Sequence, residues 1–224
     1  GSLSIGNSVD VDAATHTLAR GVWRFLNGSS VTFSREVWVN GADVLLSGQG
    51  SLGDFGFLRE NNGSFRMEAN RDGALSGTVT TLTNRGLLKL GAGSRFQLGS
   101  AQNPCAFTQT AAGTLEIELG GNDAQTGFGS LRVFGNAALD GTVRAEYVNG
   151  FPRACGQVFQ FLDSDSRTGQ FAATDLPGVT DETLFLLFYG GADAHFSVSA
   201  RADFNQDGFL DFFDYDDFVN CFES

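Results

Sequence analysis

A glycine followed by an apolar, polar, apolar alternation recurs along the chain. The block "GSLSI" begins at residue 1, "GSFRM" at 63, "GLLKL" at 86, "GTLEI" at 113, "GSLRV" at 129 and "GTVRA" at 141. Alternation is the period of a strand with one face buried. From 63 onward the blocks follow at intervals of 23, 27, 16 and 12. That spacing is too irregular for a strict repeat, but it suits the turns of a parallel β-solenoid, in which each turn buries its inner face by stacking on the next. Asn27-Gly28, Asn40-Gly41, Asn62-Gly63 and Asn149-Gly150 supply residues that accept positive φ at corners. Asn-Gly is also the favoured two-residue hairpin turn, so an antiparallel β-sandwich is the alternative. No long amphipathic helical pattern occurs before residue 203. The expected fold is all-β, a solenoid over residues 1–200, with residues 201–224 as a separate loop and helix.

Composition agrees with many short extended segments. There are 30 glycines against 3 prolines, and 22 of the 27 aromatic residues are Phe, which needs no polar partner inside a stacked core. The formal net charge is −12. Asp203, Asp207, Asp211, Asp214, Asp216, Asp217 and Glu223, against Arg201 alone, put half of that excess beyond Ala200. So acidic a chain, without a basic patch, argues against nucleic acid as a partner. The longest apolar run, Leu184 to Tyr189, is far too short to span a membrane. The opening "GSLSIG" carries no charged start or apolar signal core, so any secretion signal is expected outside these residues. Cys105 in "NPCAF" and Cys155 in "PRACGQ" both sit beside turn residues and are expected to pair, leaving Cys221 over.

Chemistry concentrates at the end of the chain. Asp203, Asn205, Asp207, Gly208, Asp211 and Asp214 fall at positions 1, 3, 5, 6, 9 and 12 of a calcium EF-hand loop. Side-chain oxygens at alternate positions of a curled loop converge on one cation, the glycine takes the sharp turn, and Phe209 at position 7 offers its backbone carbonyl. Four carboxylates this close repel one another until a divalent cation binds. The expected metal ligands are therefore Asp203, Asn205, Asp207, Phe209, Asp211 and Asp214, with Ca2+ as the ion. After the loop, Phe212, Tyr215, Phe218, Val219 and Phe222 recur at spacings of three and four and form one apolar face. A helix this short needs something to cover that face.

Two resemblances sharpen these expectations. Residues 113–173, through "LEIELGG", "LRVFGNAALDGTV" and "VNGF...GQVFQFLDSDSRTGQF", resemble the last turns and cap of autotransporter-like passenger β-helices of large secreted bacterial proteins. The resemblance implies a right-handed helix, a cap over about residues 140–200 closed by "LFLLFYGG" and "AHFSVSA", and an extracellular or cell-surface setting. The segment "DFNQDGFLDFFDYDDFVNCFE", with Asp214 where an ordinary EF-hand carries Glu, resembles the calcium-binding repeat of bacterial dockerins. A dockerin domain is two such repeats packed together and one is present. The resemblance implies, as partners, a second dockerin-like repeat, a cohesin-like protein or another copy of the chain.

Other motifs read more simply as architecture. "GQGSLG" at 48–53 has the form of a dinucleotide fingerprint, but no helical pattern follows it. His16 and His195 are too few for most zinc sites, and no G-x-S-x-G nucleophile elbow occurs. Asn27-Gly28-Ser29 and Asn62-Gly63-Ser64 fit glycosylation sequons and equally fit corners. Asp54, Arg59, Glu60, Arg66 and Glu68 are the residues a polysaccharide lyase or hydrolase would cluster on one face; alternating charge on a solvent face is the simpler cause. The expected function is non-catalytic, that of a structural or adhesive scaffold, with head-to-tail self-assembly into filaments and binding of surface polysaccharide as its extensions. A polysaccharide-active enzyme is the alternative.

Overall fold

The computed structural model describes residues 2–5, 10–33, 35–123, 125–178, 183–200 and Val219. Within them about half of the residues lie in strands, nearly all of the regular structure is β, and the chain returns repeatedly to three courses. On the first, Thr17–Leu18, Val39–Asn40, Glu60–Asn61, Thr81–Asn84, Ala106–Gln109 and the second half of Ser130–Leu139 pair in parallel, followed by Val158–Gly169. The second holds Val22–Phe25, Asp43–Ser47, Ser64–Glu68, Leu87–Leu90, Thr114–Leu119, Thr142–Tyr147 and Ala173–Asp175, again all parallel. The third pairs Ser2–Ile5 with Ser30–Phe33, is interrupted by the 3-10 turn Gly53–Phe57, and resumes with Asp72–Ala74, Arg95–Leu98 and the first half of Ser130–Leu139.

Register gives the length of each return. Thr17 faces Val39, and Glu60, Thr83, Thr108, Ala138 and Thr168 follow at the same place on later turns, so the returns are short and nearly even as far as Thr108 and longer after it. The blocks led by Gly63, Gly86, Gly113 and Gly141 are consecutive strands of the second course. "GSLRV" belongs to the third, and the two short intervals around it are a single step from Gly113 to Gly141 that it divides.

Alternate residues of the second course point inward. Val44, Phe65, Leu88, Leu115 and Val143 stand in one buried row, and Leu46, Met67, Leu90, Ile117 and Ala145 in the next. Phe25, Phe33, Phe55, Phe65 and Phe96 link through ring contacts of 5.5 to 6.1 Å between centroids. Turns stack so closely that a Cβ on Gly63 would lie 2.2 Å from the Ala42 carbonyl oxygen, and on Gly86 2.0 Å from that of Gly63. Only glycine fits there. Positive φ does occur at Asn27, Gly28, Asn149 and Gly150, as the Asn-Gly pattern predicts, but not at Gly41 or Gly63, where the approach of the neighbouring turn is what matters.

Apart from the isolated bridges Gly99–Pro104 and Leu119–Phe128, antiparallel pairing among the described residues is confined to the ends. Val11–Asp12 lies against Thr17–Leu18, and the hairpin of Thr183–Tyr189 and Asp193–Ala200 closes on Val158–Gly169. The antiparallel sandwich is therefore not the fold, because the interior Asn-Gly pairs turn corners between courses instead of joining hairpins. The expected Cys105–Cys155 bridge is not formed either. Cys105 is a free thiol, fully buried in the core, whereas Cys155 is disulfide-bonded and half-buried in the turn before Val158. The expected calcium ligands, Asp203 to Asp214, lie outside the described residues.

Candidate interaction face

The outward side of the second course carries a row of charges set by register. Arg24, Leu45, Arg66, Lys89, Glu116, Arg144 and Asp175 occupy successive strands at one position. Each charge in it is met by a neighbouring turn. Asp43 takes Arg66 at 2.7 Å and Arg24 at 3.3 Å; Lys89 lies 2.8 Å from Glu116 and 2.6 Å from Glu118; Arg144 bridges Glu116 at 3.2 Å and Asp175 at 2.7 Å.

The middle of the row is nearly closed to water, with Lys89 and Glu116 side chains 15% and 7% exposed. Burial opposes the charge on Lys89, yet hydrogen bonds to Glu116 and Glu118 outweigh it and hold its pKa above the ordinary lysine value. Likewise, burial works against the Asp43 carboxylate, but Arg66 and Arg24 keep it below the usual range. Lys89 is the chain's one lysine. A compact ammonium fits between two carboxylates where a planar fork would favour one.

Two buried polar devices lie at the corners. Where the first course turns into the second, Asn40 donates to the Asn61 side chain at 2.9 Å, Asn61 to Asn84 at 2.8 Å and Asn84 to Gln109 at 2.8 Å. Each Nδ2 also reaches a main-chain carbonyl, of Ser64, Leu87 and Thr114 respectively, and Gln109 reaches that of Thr142. At the corner leaving the second course, the fully buried Arg71 donates to the carbonyls of Ser29, Gly48 and Ser51, which belong to the two preceding turns. Burial lowers its pKa, and its Nε has no acceptor among the described residues.

The "GQGSLG" stretch is this same corner. Gly48 and Gly53 have positive φ, and a Cβ on Gly50 would lie 2.3 Å from the Gly28 carbonyl oxygen. Its glycines serve stacking, and the helical element that follows them is only the short turn Gly53–Phe57. The sequence pattern marked one member of the ladder, Asn40 beside Gly41, but picked Asn62 beside Gly63 where the buried amide is Asn61, and gave no sign of Arg71.

The five charged residues singled out as a polysaccharide site are divided among the courses, with Arg66 and Glu68 on one strand. Asp54, in the 3-10 turn, accepts the Phe33 amide at 2.5 Å, and its carboxyl is raised by burial despite that bond. Arg59 lies 4.0 Å over the Trp38 ring, which also stacks on His16 at 3.7 Å. Glu60 faces Arg85 at 3.9 Å, Arg66 is held by Asp43, and Glu68 is at the far end of its strand beside Ala69 and Asn70. His195 stacks on Phe188 at 5.5 Å, remote in sequence and pairing from His16. The sequon residues Asn27 and Asn62 are both exposed.

A shallow depression of about 480 Å³ on the third course is bordered by Asp72, Arg95, Gln97, Ser130 and Arg132. Its arginines are already engaged, Arg95 with Asp72 at 2.5 Å and Arg132 with Asp163 at 2.8 Å. Among the described residues no group of three or more His, Cys, Asp or Glu is arranged to hold a metal ion, and no helix is long and apolar enough to cross a membrane. Fold and face together define a stack of parallel strands whose outer charges bind one turn to the next. No protein-family model matches the chain, and no curated protein matches it.

Proposed function

We propose that the chain is a right-handed parallel β-solenoid that serves as a non-catalytic extracellular or cell-surface scaffold, structural or adhesive, with a C-terminal tail ordered by calcium. The observation that carries the scaffold reading is the charged row from Arg24 to Asp175, in which each ionised side chain is spent on a neighbouring turn and none is left free to act on a substrate. The calcium reading is carried by the spacing of Asp203, Asn205, Asp207, Phe209, Asp211 and Asp214. A second dockerin-like repeat, a cohesin-like protein, another copy of the chain and surface polysaccharide are the partners that fit it.

Calcium at about a hundred times its Kd would stabilise the tail by roughly 2.7 kcal/mol. Hydrogen exchange followed by mass spectrometry tests this: EGTA is expected to accelerate exchange over residues 203–223 and to leave the stacked strands unchanged. Equal exchange with and without calcium would sink the calcium reading. Release of sugar from a glycan panel would sink the non-catalytic one.

A further inference from the structure

We propose that the outer face of the closing hairpin is a docking surface for this chain's own C-terminal segment, residues 203–223, fixed there by a disulfide between Cys155 and Cys221. The proposal does not depend on the calcium reading.

The hairpin's first strand is apolar on both sides. Phe185 points into the core, while Leu184, Leu186 and Phe188 alternate with it and face outward. Register places Leu186 beside Ser197 and Val158, and Phe188 beside His195 and Gln160. Phe188 is 44% exposed and Val158 54%, two of the four large apolar side chains most open to water among the described residues. A strand apolar on both faces is the pattern of one covered on both faces.

The cover is identified by the cysteines. Cys155 is disulfide-bonded and Cys105 is free, and the chain's third cysteine is Cys221. Cys155 sits at the edge of the apolar patch, since Gly156 donates to the Val198 carbonyl at 2.9 Å and Val158 follows closely along the chain. The tail departs from the same edge, after Ala200. The chain from Ala200 to Cys221 reaches about 70 Å if extended, ample for the loop to turn back. Cys221 stands among Phe218, Val219 and Phe222, the apolar stripe that needs a partner, and Val219 is half-buried. Forming the bond takes two protons and two electrons from the two thiols and gives them to a disulfide-bearing oxidant, which leaves as a dithiol.

Tryptic mapping without reduction tests the bond. Peptide 154–167 and the peptide beginning at Ala202 are expected as one mass that separates on reduction, both in calcium and in EGTA, so that a failed calcium site and a failed bridge give different results. A free thiol at Cys155, or its linkage to Cys105 or to a second molecule, overturns the proposal. For the surface, Leu186→Ser with Phe188→Ser is expected to speed exchange over residues 212–222 at least tenfold, with the second-course strands unaltered. Val158→Ser is the milder variant should the double one not fold, with a smaller shift in the same segment. Unchanged exchange at 212–222 overturns the docking, as does protection there that rises with protein concentration, which would make a second copy the occupant.

Discussion

Arg71 has three main-chain carbonyls for company, and among the described residues no carboxylate pairs with it, so its charge is balanced by dipoles drawn from two other turns. Truncation removes one residue but disconnects three turns. Arg71→Ala leaves the carbonyls of Ser29, Gly48 and Ser51 without this donor and opens a void, and is expected to lower the unfolding free energy by about 3 kcal/mol, read from the urea midpoint. The loss should be flat between pH 5 and 9, because the guanidinium's partners are carbonyls, which do not titrate. Nothing local in "ANRDG" announces this role. A cation is recognised as buried only when the turns that bury it are placed, and those are far back along the chain, at Ser51 and Ser29. Cys105 teaches the converse: burial raises its thiol to about 11, so a cysteine beside a proline turn is shut in the core instead of offered for pairing.

Along the second course the unit of stability is the registered pair of strands, and Lys89 carries a charge that two carboxylates of the next strand share. Its ammonium gains partners on folding, so its pKa rises; the stability this adds is complete at neutral pH and disappears only as pH climbs through the folded value, above the ordinary lysine range. Lys89→Met should cost about 3 kcal/mol at pH 7, since Glu116 is left nearly buried with Arg144, and Glu118 with the Ala92 amide, as the partners that remain. The deficit is expected to hold across neutral pH and to shrink only as pH climbs above the ordinary lysine range, where the native ammonium loses its proton, measured as thermal midpoints on the alkaline side. The strands themselves were legible, because glycine-led alternation is conspicuous where four or more residues pair. The first course escaped notice because its early members, Val39–Asn40 and Glu60–Asn61, are too short for a period to show.

For the whole molecule, stacking makes stability a sum over neighbouring turns. Deleting residues 62–84 removes one whole return and joins Asn61 to Arg85, so the strands on either side can meet in register. Such a variant is expected to keep its β circular dichroism and to lose about 1–3 kcal/mol beyond the Arg71→Ala deficit in urea. Loss of all cooperative unfolding would count against a stack of independent turns. At this scale the sequence revealed the class of fold and the acidic tail. It showed the third course only at its ends, as "GSLSI" and "GSLRV", because the 3-10 turn Gly53–Phe57 interrupts the periodicity between them.

The amide ladder adds something to that picture. Asn40, Asn61 and Asn84 all donate toward the higher-numbered turn and none donates back, while Ala42 closes one end and Thr142 the other. A chain of bonds with one direction acts as a reading frame: a turn gaining or losing a single residue would put a strand residue where an amide is required, and the error would be felt at its own corner. Gln109 marks where the frame ends, its extra methylene reaching onward just as the returns lengthen and Leu139 takes the next place. Beyond that point insertions are no longer proofread by the corner, and it is there that the chain departs from a uniform stack and folds the hairpin that closes it.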